Sequence, residues 1–324
     1  DEFSPGKGTD IDIVSNWTLT PGQIMVGDRV LQTGKIQFSR NSLKLQCDSI
    51  STTEGKFILK AKGISLTEEK TQIASFTLIP IRPLFAQLEE EHDLIEGTFS
   101  DITIAGNPQQ VFQPGTVKLD NLQVGGFNLH VARNKQLPDQ QAIDKPYLLE
   151  NLLKPPVGFV VKQVIAKNGT IEYCEIAEQS GQEGCVQIHR VNAELNFNVD
   201  NSKKMIARAS GSIYNSGSIH LDYESKAEDQ FVLDVQVKNM DLTKLNQMVS
   251  PLQVIDIRSG HLKDYQLKII ADREMARGTA ILSYRDLHLD FYKKGKPEKK
   301  SKFFTFIAEL FLRNSRERSK IAVN

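Results

Sequence analysis

Only a few places in this 324-residue chain bring together residue types that do chemistry. His220 and Asp222 stand two apart, as do His288 and Asp290. On a strand that spacing puts both side chains on one face, where a metal ion or a proton relay would use them. The ordinary reading of each is a solvent-side pair. Glu172 and Glu175 are three apart, so on a strand they fall on opposite faces and cannot work as a paired acid and base. The run Glu89, Glu90, Glu91 reads as solvated surface. No HExxH, CxxC, GxSxG or P-loop pattern occurs. Gly125 and Gly126 follow a strand-like run but open no helix, so they make no phosphate loop. A carbohydrate-active β-helix would need clustered acids and stacked aromatics, and the chain has one Trp and no such cluster. The residues therefore describe a protein that is not an enzyme and uses no cofactor and no metal.

Three cysteines remain: Cys47, Cys174 and Cys185. They form no metal-ligand spacing and no disulfide framework. Between the last two lies EIAEQSGQEG, a polar stretch that reads as a hairpin turn. A hairpin symmetric about Gln179 and Ser180 sets Cys174 opposite Cys185, Tyr173 opposite Val186, Ile171 opposite Ile188 and Glu172 opposite Gln187. Apolar residues then meet on one face and polar ones on the other. Both cysteines fall on the polar face. They form a bridge in an oxidising compartment, or stay free thiols in a reduced protein or a slipped register.

The elements that carry these residues are mostly strands. From Thr116 the chain reads TVKLDNLQVGGFNLHV, with Val117, Leu119, Leu122, Val124, Phe127, Leu129 and Val131 largely on one side. Val191, Ala193, Leu195, Phe197 and Val199 alternate with polar residues, and so do Phe231, Leu233, Val235 and Val237. A period of two marks half-buried strands. A linker rich in Gln, Pro and Asp follows at 134–145. It leads into a helical pattern at Leu148, Leu149, Leu152 and Leu153, which stops before Pro155. A second short helix is expected at 242–248, with Asp241 as N-cap and Pro251 beyond its end. The last apolar run, 303–312, is helical in pattern, with Phe303, Phe304, Ile307, Leu310 and Phe311 as its apolar residues. The chain divides into a β-rich part at 1–133, a linker and helix at 134–156, a second β region at 157–292, and a basic loop with an amphipathic helix at 293–324. No short repeat of fixed period appears, which argues against a propeller or leucine-rich solenoid.

Composition sets the outer bounds. Lys plus Arg equals Asp plus Glu, at 40 each, so bulk nucleic-acid binding is not indicated. The charge is uneven: ten Lys and Arg lie between Phe291 and Lys320 against three acids. No stretch approaches the roughly 18 apolar residues of a membrane span, and no signal peptide is visible.

Two segments carry a family resemblance. One is VIAKNGTIEYCE from Val164. The other is VKNMDLTKLNQMVSPLQVIDIRSGHLKDYQLKIIADREMARGTAILSYRDLHLDF from Val237. The order MDLTKLN, SPL, IRSGHL, ARG and YRDL resembles the C-terminal part of AsmA-like proteins of Gram-negative bacteria. LIPI at 78–81 and KPYLLENLLKPP at 145–156 fit the same layout. The resemblance implies a body in the periplasm, held to the inner membrane by one N-terminal helix that would precede Asp1. It implies kinship with bridge-like lipid-transfer proteins, whose long curved sheet makes a gutter with an apolar floor for acyl chains.

The expected fold is thus mainly β: a long, curved, twisted antiparallel sheet forming an apolar groove, with two or three short helices. About twenty strands at roughly 4.8 Å would make it on the order of 100 Å long. Leu119, Val124, Phe127, Leu195, Phe197, Leu233, Val235 and Leu267 are expected to line the groove. The 303–312 helix is expected to dock on an anionic membrane or to cap the groove end. The partner is a phospholipid or other acyl lipid, and the role is lipid binding or conduction between inner and outer membrane. The alternative is a closed β-sandwich that serves the envelope as a binding or scaffold module.

Overall fold

In the computed structural model the described residues are 17–26, 29–39, 44–87, 89–105, 117–138, 159–178, 180–198, 204–227, 230–252, 255–272, 275–291 and 319–323. Seventeen strands form one sheet. They are β1 (Trp17–Leu19), β2 (Gly22–Val26), β3 (Arg29–Thr33), β4 (Ile36–Ser39), β5 (Lys44–Glu54), β6 (Phe57–Leu66), β7 (Lys70–Pro80), β8 (Asp93–Ala105) and β9 (Val117–Asn134). The second half holds β10 (Phe159–Ile176), β11 (Glu183–Asn198), β12 (Lys204–Ile213), β13 (Gly217–Ala227), β14 (Gln230–Asp241), β15 (Ile255–Ala271), β16 (Ala276–Phe291) and β17 (Ser319–Val323). Two short helices accompany them: α1 (Arg82–Phe85) and α2 (Asn246–Leu252), the latter preceded by a 3-10 turn, Leu242–Leu245.

From β5 onward each strand pairs with the next in sequence, up to β17. At the start, β3 and β4 both pair with β5, with β2 on β3 and β1 on β4. All pairs are antiparallel except β9 with β10. That parallel joint requires a crossover between strand ends, and it corrects the expectation of a wholly antiparallel sheet. The sheet is curved and unclosed, so the sandwich alternative is not the architecture. Counted along the stacking direction, its length is roughly 65–70 Å at about 4.8 Å per strand. That is shorter than the ~100 Å anticipated, because strands are fewer and longer: β9 and β10 each run 18 residues.

The expected helix at 242–248 is instead a 3-10 turn continued by α2. Asp241 does cap it: its carboxylate accepts from the Thr243 amide at 3.0 Å and from the Thr243 hydroxyl at 2.7 Å. Pro251 lies inside the last turn of α2 rather than beyond it. The four-residue α1 carries no sequence pattern long enough to announce it. The 148–153 helix, and Phe303, Phe304, Ile307, Leu310 and Phe311, lie outside the described residues. So does Val199.

A line of left-handed backbone crosses the sheet. Gly63, Asp101, Asn168, Arg190, Asn239 and Asp286 all have φ between 52° and 61° inside strands. Asn and Asp visit this region at low cost, and Gly63 needs no Cβ there. At each non-glycine position the apolar spacing changes from two to three: Phe99 to Ile102, Ala166 to Gly169, Ile188 to Val191, Val237 to Met240, Tyr284 to Leu287. A residue in this conformation reverses the alternation, so a three-residue step keeps the apolar side chains on one face. The register confirms it at one point. Phe127 pairs with Gly169 and Gly169 with Val191, while Val124 pairs with Ala166 and Ala166 with Ala193. Val191 and Ala193 are two apart, so Phe127 and Val124 share a face although they are three apart.

Candidate functional site

Residues directly opposite in a sheet share a face, so the register traces rows across it. One row reads Leu19, Ile36, Cys47, Ile64, Ile73, Ile102, Val124 from β1 and β4 to β9. It goes on through Ala166, Ala193, Ala209, Leu221, Val235, Leu267 and Ala280 on β10 to β16. No polar residue other than the Cys47 thiol interrupts it. The next row carries Leu195, Ala207, Tyr223 and Leu233. Of the eight residues expected to line a groove, Val124, Phe127, Leu195, Phe197, Leu233, Val235 and Leu267 lie on this face. Leu119 is out of phase: it pairs with Val161 and shares its side of β9 with Asn121, whose amide donates to Gln163 at 2.7 Å.

Within the row, Cys47, Ile64, Ile102, Val124 and Ala280 are buried. Leu195, Phe197, Leu233, Val235 and Leu267 are half-buried. Among the described residues no second sheet lies over them. The principal strand contacts run between hydrogen-bonded neighbours. Burial raises the Cys47 thiol above its ordinary pKa, so it is an inert packing thiol rather than a nucleophile.

Both helices cover one margin of this face. The turn Leu242–Leu245 and α2 pack against β10, β11 and β15. Leu242, Val237, Met240, Ile257, Leu262 and Leu282 form the buried cluster beneath them. Asn246 ties the segment down by a pair of bonds to the Ile257 backbone, each 2.9 Å. Gly184 is the seat of α2: a Cβ there would stand 2.6 Å from the Met248 carbonyl oxygen. At the same margin α1 inserts Phe85, edge-on to Phe57 at 5.3 Å between ring centres. Phe85 and its helix carried no sequence signal beyond the apolar run around LIPI.

On the polar face the Cys174–Cys185 bridge is present, S–S 2.11 Å, in the register that symmetry about Gln179 and Ser180 requires. Beside it His130 bonds Glu172 at 2.9 Å, and Gln187 donates to Glu172 at 2.5 Å. These bonds, the one from Gln187 foremost, hold the Glu172 carboxyl below the ordinary range. His130, Glu172 and Cys174 cluster closely enough for a metal, as do Cys174, Glu183 and Cys185. The disulfide ties up both sulfurs, so neither trio offers three ligands.

The histidine pairs fare no better as chemistry. Asp222 reaches Arg208 at 3.4 Å, both highly exposed. With His220 they are among the residues around a shallow hollow of about 480 Å³ that also takes in Ala166, Ala193, Ala209 and Leu221 of the apolar row. His288 bonds the Ser259 hydroxyl at 2.8 Å. Glu172 and Glu175 point to opposite faces, and Glu175 accepts from the Tyr173 hydroxyl at 3.0 Å.

No protein-family model matches the chain, and no curated protein matches it either. The AsmA-like resemblance therefore rests on the segments quoted above. No helix of the described residues is long and apolar enough to cross a membrane.

Proposed function

We propose that this chain is a non-catalytic AsmA-like envelope protein that holds acyl lipid on the apolar face of its sheet. In this reading it conducts lipid between the inner and outer membranes of a Gram-negative cell. The observation that carries the reading is the uninterrupted apolar row from Leu19 to Ala280 on a single-layer, unclosed sheet. Such a face must be covered by something, and each CH₂ of an acyl chain laid on it gains about 0.8 kcal/mol. Movement along the row needs no bond to form or break, because the surroundings stay apolar from strand to strand. Among the described residues the helices stand at one margin, and in this reading the polar headgroup takes the opposite one. The Cys174–Cys185 bridge supports a periplasmic address, since such bonds persist in oxidising compartments.

Mass spectrometry of organic extracts from the purified protein tests the reading. Phospholipid should co-purify with the wild type and fall several-fold in Leu233→Asp, a polar change on the half-buried face. Circular dichroism must show that the variant still folds. A folded wild type without lipid, or a folded Leu233→Asp with unchanged lipid, overturns the reading. An unfolded Leu233→Asp would identify the face as a closed core and overturn it as well.

A further inference from the structure

Large aliphatic side chains also break through the polar face, and they are aligned. Met25 pairs with Val30 across β2 and β3, and Ile58 pairs with Ile79 across β6 and β7. Thr53 on β5 pairs with Ile58. The Gln32–Ser51 pairing carries Val30 to a place beside Thr53, and the Thr52 hydroxyl donates to the Val30 carbonyl at 3.1 Å. Met25, Val30, Thr53, Ile58 and Ile79 thus form one row across five strands, roughly 19 Å long. Met25 is 73% exposed, Val30 45%, Ile58 36% and Ile79 36%. This side is opposite the lipid face, because Phe57 and Leu59 flank Ile58 and point the other way.

The stripe is one residue wide. The adjacent row is polar: Gln23, Gln32, Ser51, Lys60 and Thr77. Lys62 stands two residues beyond Lys60 on the same side. Neither lysine has an anionic partner among the described residues, and no acid lies on this face of β2, β3, β6 or β7 between the stripe and Lys62. At the other flank, Lys56 lies over the Phe85 ring at 5.7 Å and Arg82 is bonded to Glu96.

We propose that this stripe is a docking seat for an amphipathic helix of a partner protein, about 13 residues long, with an apolar ridge flanked by acids. A helix presents its ridge as a single line of side chains some 5–6 Å apart, close to the strand spacing of about 4.8 Å. Its own polar flanks then meet Gln32, Ser51 and Thr77, and its acids meet Lys60 and Lys62. A flat bilayer would have to desolvate those polar neighbours to touch the stripe. A second copy of the chain, stripe against stripe, would bury far less than the roughly 800 Å² per partner of a stable interface.

The test uses the whole chain and two synthetic helical peptides of 14 residues. Both carry the same leucine ridge; one is flanked by Glu, the other by Lys. Fluorescence anisotropy should show the Glu-flanked peptide binding at least tenfold tighter. Met25→Ser with Ile58→Ser should weaken it tenfold or more, and Lys60→Glu with Lys62→Glu should reverse the preference. Met25, Ile58 and Lys62 are exposed and Lys60 is half-buried on the same side, so unchanged circular dichroism and unchanged co-purifying lipid are expected and separate this surface from the lipid face. Binding of neither peptide, equal binding of both, or binding indifferent to the Met25 and Ile58 changes overturns the proposal. Stripe-dependent flotation with anionic vesicles, or stripe-dependent self-association in sedimentation, would assign the surface to a membrane or to a second copy and overturns it too.

Discussion

The phenyl ring of Phe127 lies directly over Gly169 across the parallel β9–β10 joint. A Cβ built at Gly169 would stand 2.0 Å from Phe127 Cζ. The ring continues a line of aromatics on the apolar face, 6.3 Å from Phe99, which lies 6.1 Å from Phe76. Glycine at 169 is what lets the floor accept a ring at the one joint where neighbouring strands run in the same direction.

Gly169→Ala should therefore destabilise the protein by about 1–3 kcal/mol through overpacking. Phe127→Ala in that background should recover part of the loss, although alone it destabilises by leaving a void. Urea unfolding of the two single variants and the double variant measures the coupling. Additive effects would show that the ring does not depend on the glycine.

The bridge between Cys174 and Cys185 closes a loop of sequence separation 11. Replacing both with Ser should cost about 2–3 kcal/mol, read from urea midpoints without reductant. Thiol counting on the denatured, non-reduced protein should find one thiol, Cys47. Three thiols would mean that the purified chain carries no bridge.

Asp241 caps the Leu242–Leu245 turn, and its bonds to Thr243 hold the carboxyl below its ordinary pKa. Asp241→Ala should cost about 1 kcal/mol near neutral pH. A depressed folded pKa gives stability that is present above the unfolded value, about 3.9, and is lost as pH falls through the folded value. The gap between wild type and variant should accordingly close below about pH 4. A gap that persists at pH 2 would place the effect in packing rather than in the carboxylate.

The Tyr214 hydroxyl donates to the Cys185 carbonyl at 2.7 Å, and burial pushes its pKa up to about 12. The phenol's contribution is full below the unfolded value near 10 and is lost as pH rises through 12. Burial also pushes Tyr173 up to about 12, so rapid-mixing absorbance titration should find one fewer tyrosine ionising near pH 12 in Tyr214→Phe than in the wild type. Ionisation of Tyr214 at the ordinary pH of about 10 would contradict the buried geometry.

Much of this was written locally. The alternation of Phe231, Leu233, Val235 and Val237 marks a strand and its two faces, because a period of two is a property of the chain alone. The Cys174–Cys185 register followed from matching apolar to apolar about a polar turn, a constraint that needs only the stretch from Ile171 to Ile188. Alternation alone does not announce the phase reversals, although Asp or Asn sits inside a three-residue apolar step at Asp101, Asn168, Asn239 and Asp286. A strict period of two leaves Phe127 out of phase with Val124, and the residues between them are Gly125 and Gly126 rather than Asp or Asn. What local sequence does not contain is which strands meet across long separations. The parallel β9–β10 joint brings Val124 beside Ala166, and only that pairing makes two β regions into one sheet. The row of Met25, Val30, Ile58 and Ile79 is likewise invisible along the chain, where each sits beside apolar neighbours such as Ile24, Leu31, Phe57 and Leu78. Alternation assigns a residue to a face, but neighbours on that face come from register, and register is settled by the summed packing of the whole sheet.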